Sequence, residues 1–135
     1  MFEVVNIEER RMDRDIELKN MVTNKLEDCF DNSIGYSDDN NFSFMKIGLK
    51  YECKILLIGD QRKVETKDTT KFLLAEDLLV KIGQSEFIKV YLNADEYYIL
   101  NEGLSVEKGD KYILFDFFRK DLLEVDGNIS PMHIL

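Results

Sequence analysis

Apolar and polar residues alternate strictly in the middle of the chain. From Met45 to Leu57 every second residue is apolar, and the first five residues between them are three lysines, a glutamate and a glycine. A β-strand sends successive side chains to opposite faces, so the pattern predicts a strand over residues 44–58 with one buried and one lysine-rich face. Such a strand would run about 45 Å at about 3.3 Å per residue, so we expect a bend or bulge near Gly48.

The pattern before this strand predicts a helix over residues 6–30. Asn6 is a suitable N-cap, and Glu9 falls three residues later, as in a capping box. Asp15 and Lys19 interrupt the apolar stripe, and the opposite face is polar and mostly acidic. Seven apolar residues project within an arc of roughly 160° at the helical spacing: Met12, Ile16, Leu18, Val22, Leu26, Cys29 and Phe30.

The remaining segments predict loops and further strands. Residues 31–41 are dense in turn-forming and acidic residues, which is typical of a loop, and further turns are predicted at residues 59–62 and 67–70. Residues 72–82 fit either a helix or the first strand of a hairpin. We favour the hairpin because apolar residues alternate into a turn and then resume their alternation.

These elements predict one domain of the α+β class over residues 1–135. An N-terminal amphipathic helix (about 6–30) packs on a curved, mostly antiparallel sheet (42–129) that forms a partly closed small barrel. An acidic loop (31–41) joins the two, and residues 130–135 form a short tail. The sequence contains neither a run of about 20 apolar residues nor an export signal, so we expect a cytoplasmic protein, in the producing cell or in an infected host cell.

The charge of the chain favours a protein partner. Its 27 acidic and 18 basic residues give a formal net charge of −9. Residues 1–41 carry a charge of −6, from eleven acids and five bases. Residues 42–93 carry +2, from seven acids and nine bases, and residues 94–135 carry −5, from nine acids and four bases. Nucleic acid requires lysine and arginine to displace phosphate counterions. An acidic chain instead suits a protein with a basic surface, such as a nuclease.

Motifs for catalysis or metal binding are missing from the sequence. It contains no nucleophile elbow, phosphate-binding glycine loop or zinc spacing, and the aspartates of the loop do not follow the calcium-loop pattern. The only histidine is His133, and Cys29 and Cys53 lie on apolar faces, as buried free thiols do. We therefore expect no enzyme activity, no cofactor and no metal.

Small acidic proteins of this physical type are often inhibitors, including immunity proteins against nuclease toxins and phage proteins that block host defence nucleases. Our hypothesis is an inhibitor of this kind, which occludes a basic site on a partner protein. An exposed tyrosine would anchor the contact and acidic residues would orient it. The contact residues proposed on this basis are Glu27, Asp28, Asp31, Tyr36, Asp38 and Asp39.

Two alternatives remain at this point. The first is a barrel-like nucleic-acid-binding module that uses the lysine face of the central strand. Its candidate residues are Lys46, Lys50, Lys54, Arg62 and Lys63. The second is a structural or assembly protein that self-associates through an exposed strand edge.

Overall fold

The structure, a computed structural model, describes residues 1–134, and its regular secondary structure is almost entirely β-strand. Of the described residues, 57% lie in strands and 5% in helices, and none of the helices reaches seven residues, so the predicted α+β class is wrong. The helical parts are α1 (Ser33–Tyr36) and a 3₁₀ turn (Pro131–His133). The strands are β1 (Phe2–Glu9), β2 (Arg14–Asn20), β3 (Leu26–Asp31), β4 (Lys50–Tyr51), β5 (Cys53–Arg62), β6 (Thr70–Ile82), β7 (Ser85–Leu92), β8 (Asp95–Leu100), β9 (Tyr112–Val125) and β10 (Asn128–Ile129).

The segment predicted as a helix over residues 6–30 forms most of three antiparallel strands, β1, β2 and β3. The side chains of β2 alternate, so that Ile16 and Leu18 are fully buried while the residues between and beside them are more exposed. Asp15 and Lys19, which interrupted the apolar stripe of the predicted helix, lie on the outward face of β2. The period of this segment is therefore two residues, and the helix prediction is wrong.

Five strands close into a barrel. β5 pairs with β9 and with β8, β8 pairs with β7, β7 pairs with β6, and β6 returns to β9. The β5–β8 pairing is parallel and the other four are antiparallel. The β6–β9 pairing covers only residues 70–73 of β6, opposite residues 112–115. The backbone N–H of Leu74 donates to the carbonyl of Lys111 at 2.8 Å, and beyond this bond the two segments diverge.

β9 connects the barrel to the N-terminal strands. It pairs with β5, β6 and β10, and with β3 through Phe30 and Asp121. The strands β4, β1, β2 and β3 extend the sheet from this junction. Neighbouring residues of β5 enter two apolar clusters: Ile55 belongs to the larger cluster and Leu56 to a second one. The sheet is therefore apolar on both faces at β5.

The strand predicted over residues 44–58 begins later than expected. Residues 44–49 form a loop in which Gly48 has a φ of 87°, and pairing starts at β4. The irregularities of β5 lie between Lys54 and Ile55 and between Ile58 and Gly59, not near Gly48. Residues 59–62, predicted as a turn, are the end of β5. The hairpin predicted from residues 72–82 onward is confirmed, because β6 and β7 pair antiparallel across Gly83 and Gln84.

Candidate functional site

The six residues proposed for partner contact divide into two groups. Glu27 and Asp31 are 1% and 2% exposed, and the fold encloses both. Asp28 lies between them in the chain but is exposed, because alternate residues of β3 face opposite sides. The other three exposed residues are Tyr36, Asp38 and Asp39. A partner therefore has access to four of the six residues.

Glu27 belongs to a buried cluster of charged and aromatic groups. The ammonium group of Lys120 donates to Glu27 Oε1 at 2.9 Å, and Lys25 Nζ lies 3.8 Å from the same oxygen. Lys25 also donates to the Tyr97 hydroxyl at 3.0 Å, and both ammonium groups lie over the Tyr97 ring, at 5.4 Å for Lys25 and 5.3 Å for Lys120. Burial, together with the Glu27 carboxylate, raises the pKa of Tyr97. The cluster links β3, β8 and β9 from inside the protein.

Asp31 has a comparable internal role. Arg14 Nε donates to Asp31 Oδ2 at 2.9 Å, and the backbone N–H and hydroxyl of Ser33 donate to Asp31 Oδ1 at 2.9 and 2.6 Å. Arg14 also donates to the carbonyl of Phe42. These bonds fix the start of the 32–49 segment against β2 and β3, so Asp31 positions the loop that carries Tyr36.

Asp28 lies on an exposed sheet face with other carboxylates, which we call the acidic strip (Glu8, Asp15, Glu17 and Asp28). Glu17 of β2 is directly opposite Asp28 of β3, and Asp15 is directly opposite Glu8 of β1. Arg10 pairs with Asp15 at 2.9 Å and with Glu8 at 4.0 Å. Within residues 1–134 no basic side chain forms an ion pair with Glu17 or Asp28. At the β3 end of the strip, two opposed carboxylates therefore have no ion-pair partner among residues 1–134.

The Tyr36 loop (residues 34–40) packs against the C-terminal turn. A hollow of about 280 Å³ is lined by Tyr36, Ser37, Asn40, Pro131 and Ile134. The side-chain amide of Asn40 donates to the carbonyl of Ile129 at 3.4 Å. Tyr36 itself is 60% exposed, and Met132 is also exposed. The C-terminal residues of this surface have no signal in the sequence, because no local pattern connects residue 36 with residue 134.

The five basic residues of the nucleic-acid alternative do not share one face. Lys46 lies in the loop before β4, Lys50 belongs to β4, and Lys63 lies in the loop after β5. Lys54 pairs with Glu124 at 3.0 Å, and Arg62 pairs with Asp116 at 3.3 Å. Two of the five cations are thus already matched by acids of the protein, and the lysine face predicted for one strand does not form.

The single histidine lies beside a serine and an aromatic ring. His133 Nδ1 lies 3.3 Å from the Ser85 hydroxyl, and its ring packs edge-on against Phe87 at 5.2 Å. Burial lowers the pKa of His133. The nearby Asp121 carboxylate accepts two hydrogen bonds from Arg119, at 2.6 and 2.9 Å, so its hydrogen-bond partner is Arg119 and not the imidazole of His133. Among residues 1–134 no three His, Cys, Asp or Glu side chains are grouped to hold a metal ion.

A cleft of about 810 Å³ lies between β6 and the segment that precedes β9. Leu74 pairs with Val90 and Leu79 with Ile88, so residues 75–78 bulge outward opposite a single residue of β7, Lys89. Lys89 Nζ donates to Asp77 Oδ2 at 3.0 Å, which supports the bulge and lowers the pKa of Asp77. Sequence patterns did not predict the cleft, because it arises from a change of register between two strands.

The part of the chain described by the structure has no helix long and apolar enough to cross a lipid bilayer. Comparisons of the chain with protein-family models, with curated proteins and with solved structures find no significant match.

Proposed function

We propose that this protein is a cytoplasmic protein-binding inhibitor, which occludes a basic surface of a partner through the acidic strip and the Tyr36 loop. The observation that supports this most directly is the pair formed by Glu17 and Asp28. These two carboxylates are directly opposite each other on adjacent strands and form no ion pair with a basic side chain of residues 1–134. The two cysteines, which are free thiols, agree with a reducing compartment.

The Glu17–Asp28 pair is unfavourable for the isolated protein. Like charges directly opposite on a sheet destabilise it by roughly 0.2–1 kcal/mol, whereas opposite charges stabilise it by a similar amount. An arginine or lysine of a partner, placed between the two carboxylates, would reverse the sign of this interaction. Guanidinium groups are especially suitable because their planar donors match carboxylate oxygens.

The distribution of charge supports association with a basic surface. The net charge is −9, and residues 1–41, which carry the whole strip and the Tyr36 loop, contribute −6 of it through eleven acids and five bases. Such a field accelerates the encounter with a basic partner and sets its orientation, and salt weakens both effects.

Tyr36 supplies a feature that charge alone does not. Its exposed ring lies beside an apolar hollow, and the carboxylates of Asp38 and Asp39 follow two and three residues later. Tyrosine is enriched among the residues that dominate binding energy, because it buries a large rigid area and retains a polar tip. The loop therefore offers an anchor next to acidic groups.

The first experiment measures stability and needs no partner. In the variant Asp28→Lys a cation lies directly opposite Glu17, so the free energy of unfolding should rise by a few tenths of a kcal/mol to about 1 kcal/mol. Urea unfolding of this variant and of the wild type measures the change. A clear loss of stability would show that Asp28 has a structural role, which contradicts the proposal.

The second experiment measures binding. The partner is purified from the cells that contain the protein, and its affinity is determined by calorimetry at low and high salt. Glu17→Gln/Asp28→Asn should weaken binding about tenfold or more and reduce the salt dependence. The control Glu65→Gln/Asp68→Asn removes the same charge from an exposed loop and should bind as the wild type does. Equal losses in both variants, or a partner whose activity is unchanged when bound, would refute the proposal.

A further inference from the structure

The cleft beside β6 is a second surface, separate from the acidic strip. We propose that it binds an extended segment of a partner protein with alternating apolar and basic residues, which joins the open edge of β6 as an additional strand. Its role is independent of the inhibitor proposal, since it uses other strands and other residues.

The backbone of β6 is available for this pairing. β9 covers one edge of β6 only over residues 70–73, and the Leu74–Lys111 bond ends the contact. On its other side β6 pairs with β7 at residues 73–74 and 79–82, with the bulge between them, and no further strand in residues 1–134 covers the edge beyond Leu74. Unpaired N–H and C=O groups at a strand edge are a template for an incoming strand. A helix would be a poor occupant, because its own backbone groups are already bonded.

The cleft can also accept side chains. Its volume of about 810 Å³ lies within the range of about 300–1,000 Å³ typical of ligand sites. The walls are mostly apolar, and they reach the buried side chain of Ile88 where the bulge opens the barrel. Leu79 is 58% exposed and Leu73 is also exposed, so apolar surface lies on both sides of the bulge. An extended segment presents every second side chain to such a wall.

The rim of the cleft selects the charge of the segment. Four acids and two lysines line it: Glu76, Asp77, Glu107, Asp110, Lys108 and Lys111. Asp77 is bound by Lys89, and Asp110 accepts the backbone N–H of Glu107. The carboxylates of Glu76 and Glu107 have no such partner among residues 1–134. Basic residues between the apolar ones would pair with these two carboxylates.

The experiment is an NMR titration of the ¹⁵N-labelled 135-residue chain. The probe is a synthetic seven-residue peptide that alternates lysine and valine, and the protein carries Glu17→Gln/Asp28→Asn so that the acidic strip does not compete. We expect amide shifts concentrated in residues 74–82 and 106–111. Two control peptides, one with glutamate in place of lysine and one with proline at the central valine, should bind at least about tenfold more weakly.

Protein variants test the site itself. Leu79→Gln removes apolar surface from the cleft and should weaken the peptide about tenfold. Leu26→Gln is its control, because Leu26 is 55% exposed on a different strand, and it should leave the peptide affinity unchanged. Equal effects of the two substitutions would overturn the proposal, and so would shifts located outside the cleft. Broadening of β6 signals with protein concentration, without peptide, would show instead that the edge pairs with a second copy of the chain.

Discussion

The ion pair of Glu27 and Lys120, whose side chains are 1% and 16% exposed, yields the sharpest stability prediction. At the 2.9 Å separation of Lys120 Nζ and Glu27 Oε1, Coulomb attraction at an effective dielectric constant of 20 amounts to about 6 kcal/mol. Desolvation of each ion opposes this by several kcal/mol, so the net contribution of the intact pair is small. Lys120→Met leaves the carboxylate of Glu27, which is 1% exposed, with only Lys25 beside it. We expect a loss of about 3 kcal/mol of unfolding free energy.

The double variant Glu27→Met/Lys120→Met removes both charges. Its methionines would lie among Tyr97 and Phe117, whose rings already contact the Lys120 side chain. We expect its unfolding free energy to lie within about 1 kcal/mol of the wild-type value, because a buried ion pair and an apolar replacement of similar volume are often equivalent. The coupling between the two substitutions then exceeds about 2 kcal/mol.

Guanidinium unfolding at neutral pH, monitored by circular dichroism, measures all three free energies. The control is Lys54→Met, which breaks a Lys–Glu pair of nearly the same separation, 3.0 Å, but with side chains that are 34% and 18% exposed. It should cost less than about 1 kcal/mol. The reasoning is refuted if Lys120→Met costs no more than the control, or if the double variant loses the sum of the two single losses.

Three further predictions concern other parts of the fold. Burial lowers the pKa of His133 below its usual 6.5, so below pH 6.5 the unfolded chain binds more protons than the native protein, and stability decreases as the pH is lowered. Urea unfolding between about pH 7.5 and about pH 5.5 should therefore show a smaller loss of stability for His133→Gln than for the wild type. Burial raises the pKa of Cys53 to about 12 and that of Cys29 well above 9. Alkylation of these thiols by iodoacetamide near neutral pH should therefore be at least about tenfold slower in the native than in the denatured protein, and equal rates would contradict this prediction. Gly83 and Gly48 both have positive φ, but of these two only Gly83 has a backbone oxygen, that of His133, within 2.0 Å of where a Cβ atom would lie. Thermal unfolding should therefore show a loss of unfolding free energy of about 3 kcal/mol for Gly83→Ala and about 1 kcal/mol for Gly48→Ala.

Sequence patterns predicted the barrel strands better than the N-terminal ones. The β6–β7 hairpin could be predicted because its apolar residues alternate on both sides of a turn. In β2 and β3, three charged residues, Arg14, Glu27 and Asp31, point inward, and this reverses the usual relation between polarity and exposure. Three apolar residues of the predicted helical stripe are exposed instead: Met12, Val22 and Leu26. The resulting pattern imitates a helix.

The same inversion limited the prediction of the candidate site. Glu27, Asp28 and Asp31 could be recognised as an acidic group, but their separation into buried and exposed members depends on strand alternation. Glu17 falls on the polar face of the predicted helix, opposite the apolar stripe, and only the β2–β3 register places it opposite Asp28. Contacts set by register between distant segments leave no local trace in a sequence.

β9 has a consequence for how the protein is made. It is the shared neighbour of β3, β5 and β6, which end 81, 50 and 30 residues before it begins. During synthesis these three strands leave the ribosome before residues 112–125 do. Until then, the edge of each strand that pairs with β9 is uncovered. A chain interrupted before residue 112 would expose all three edges at once, so such fragments should aggregate rather than persist as a folded half. The 135-residue chain should fold in one concerted step, at a rate limited by these distant pairings.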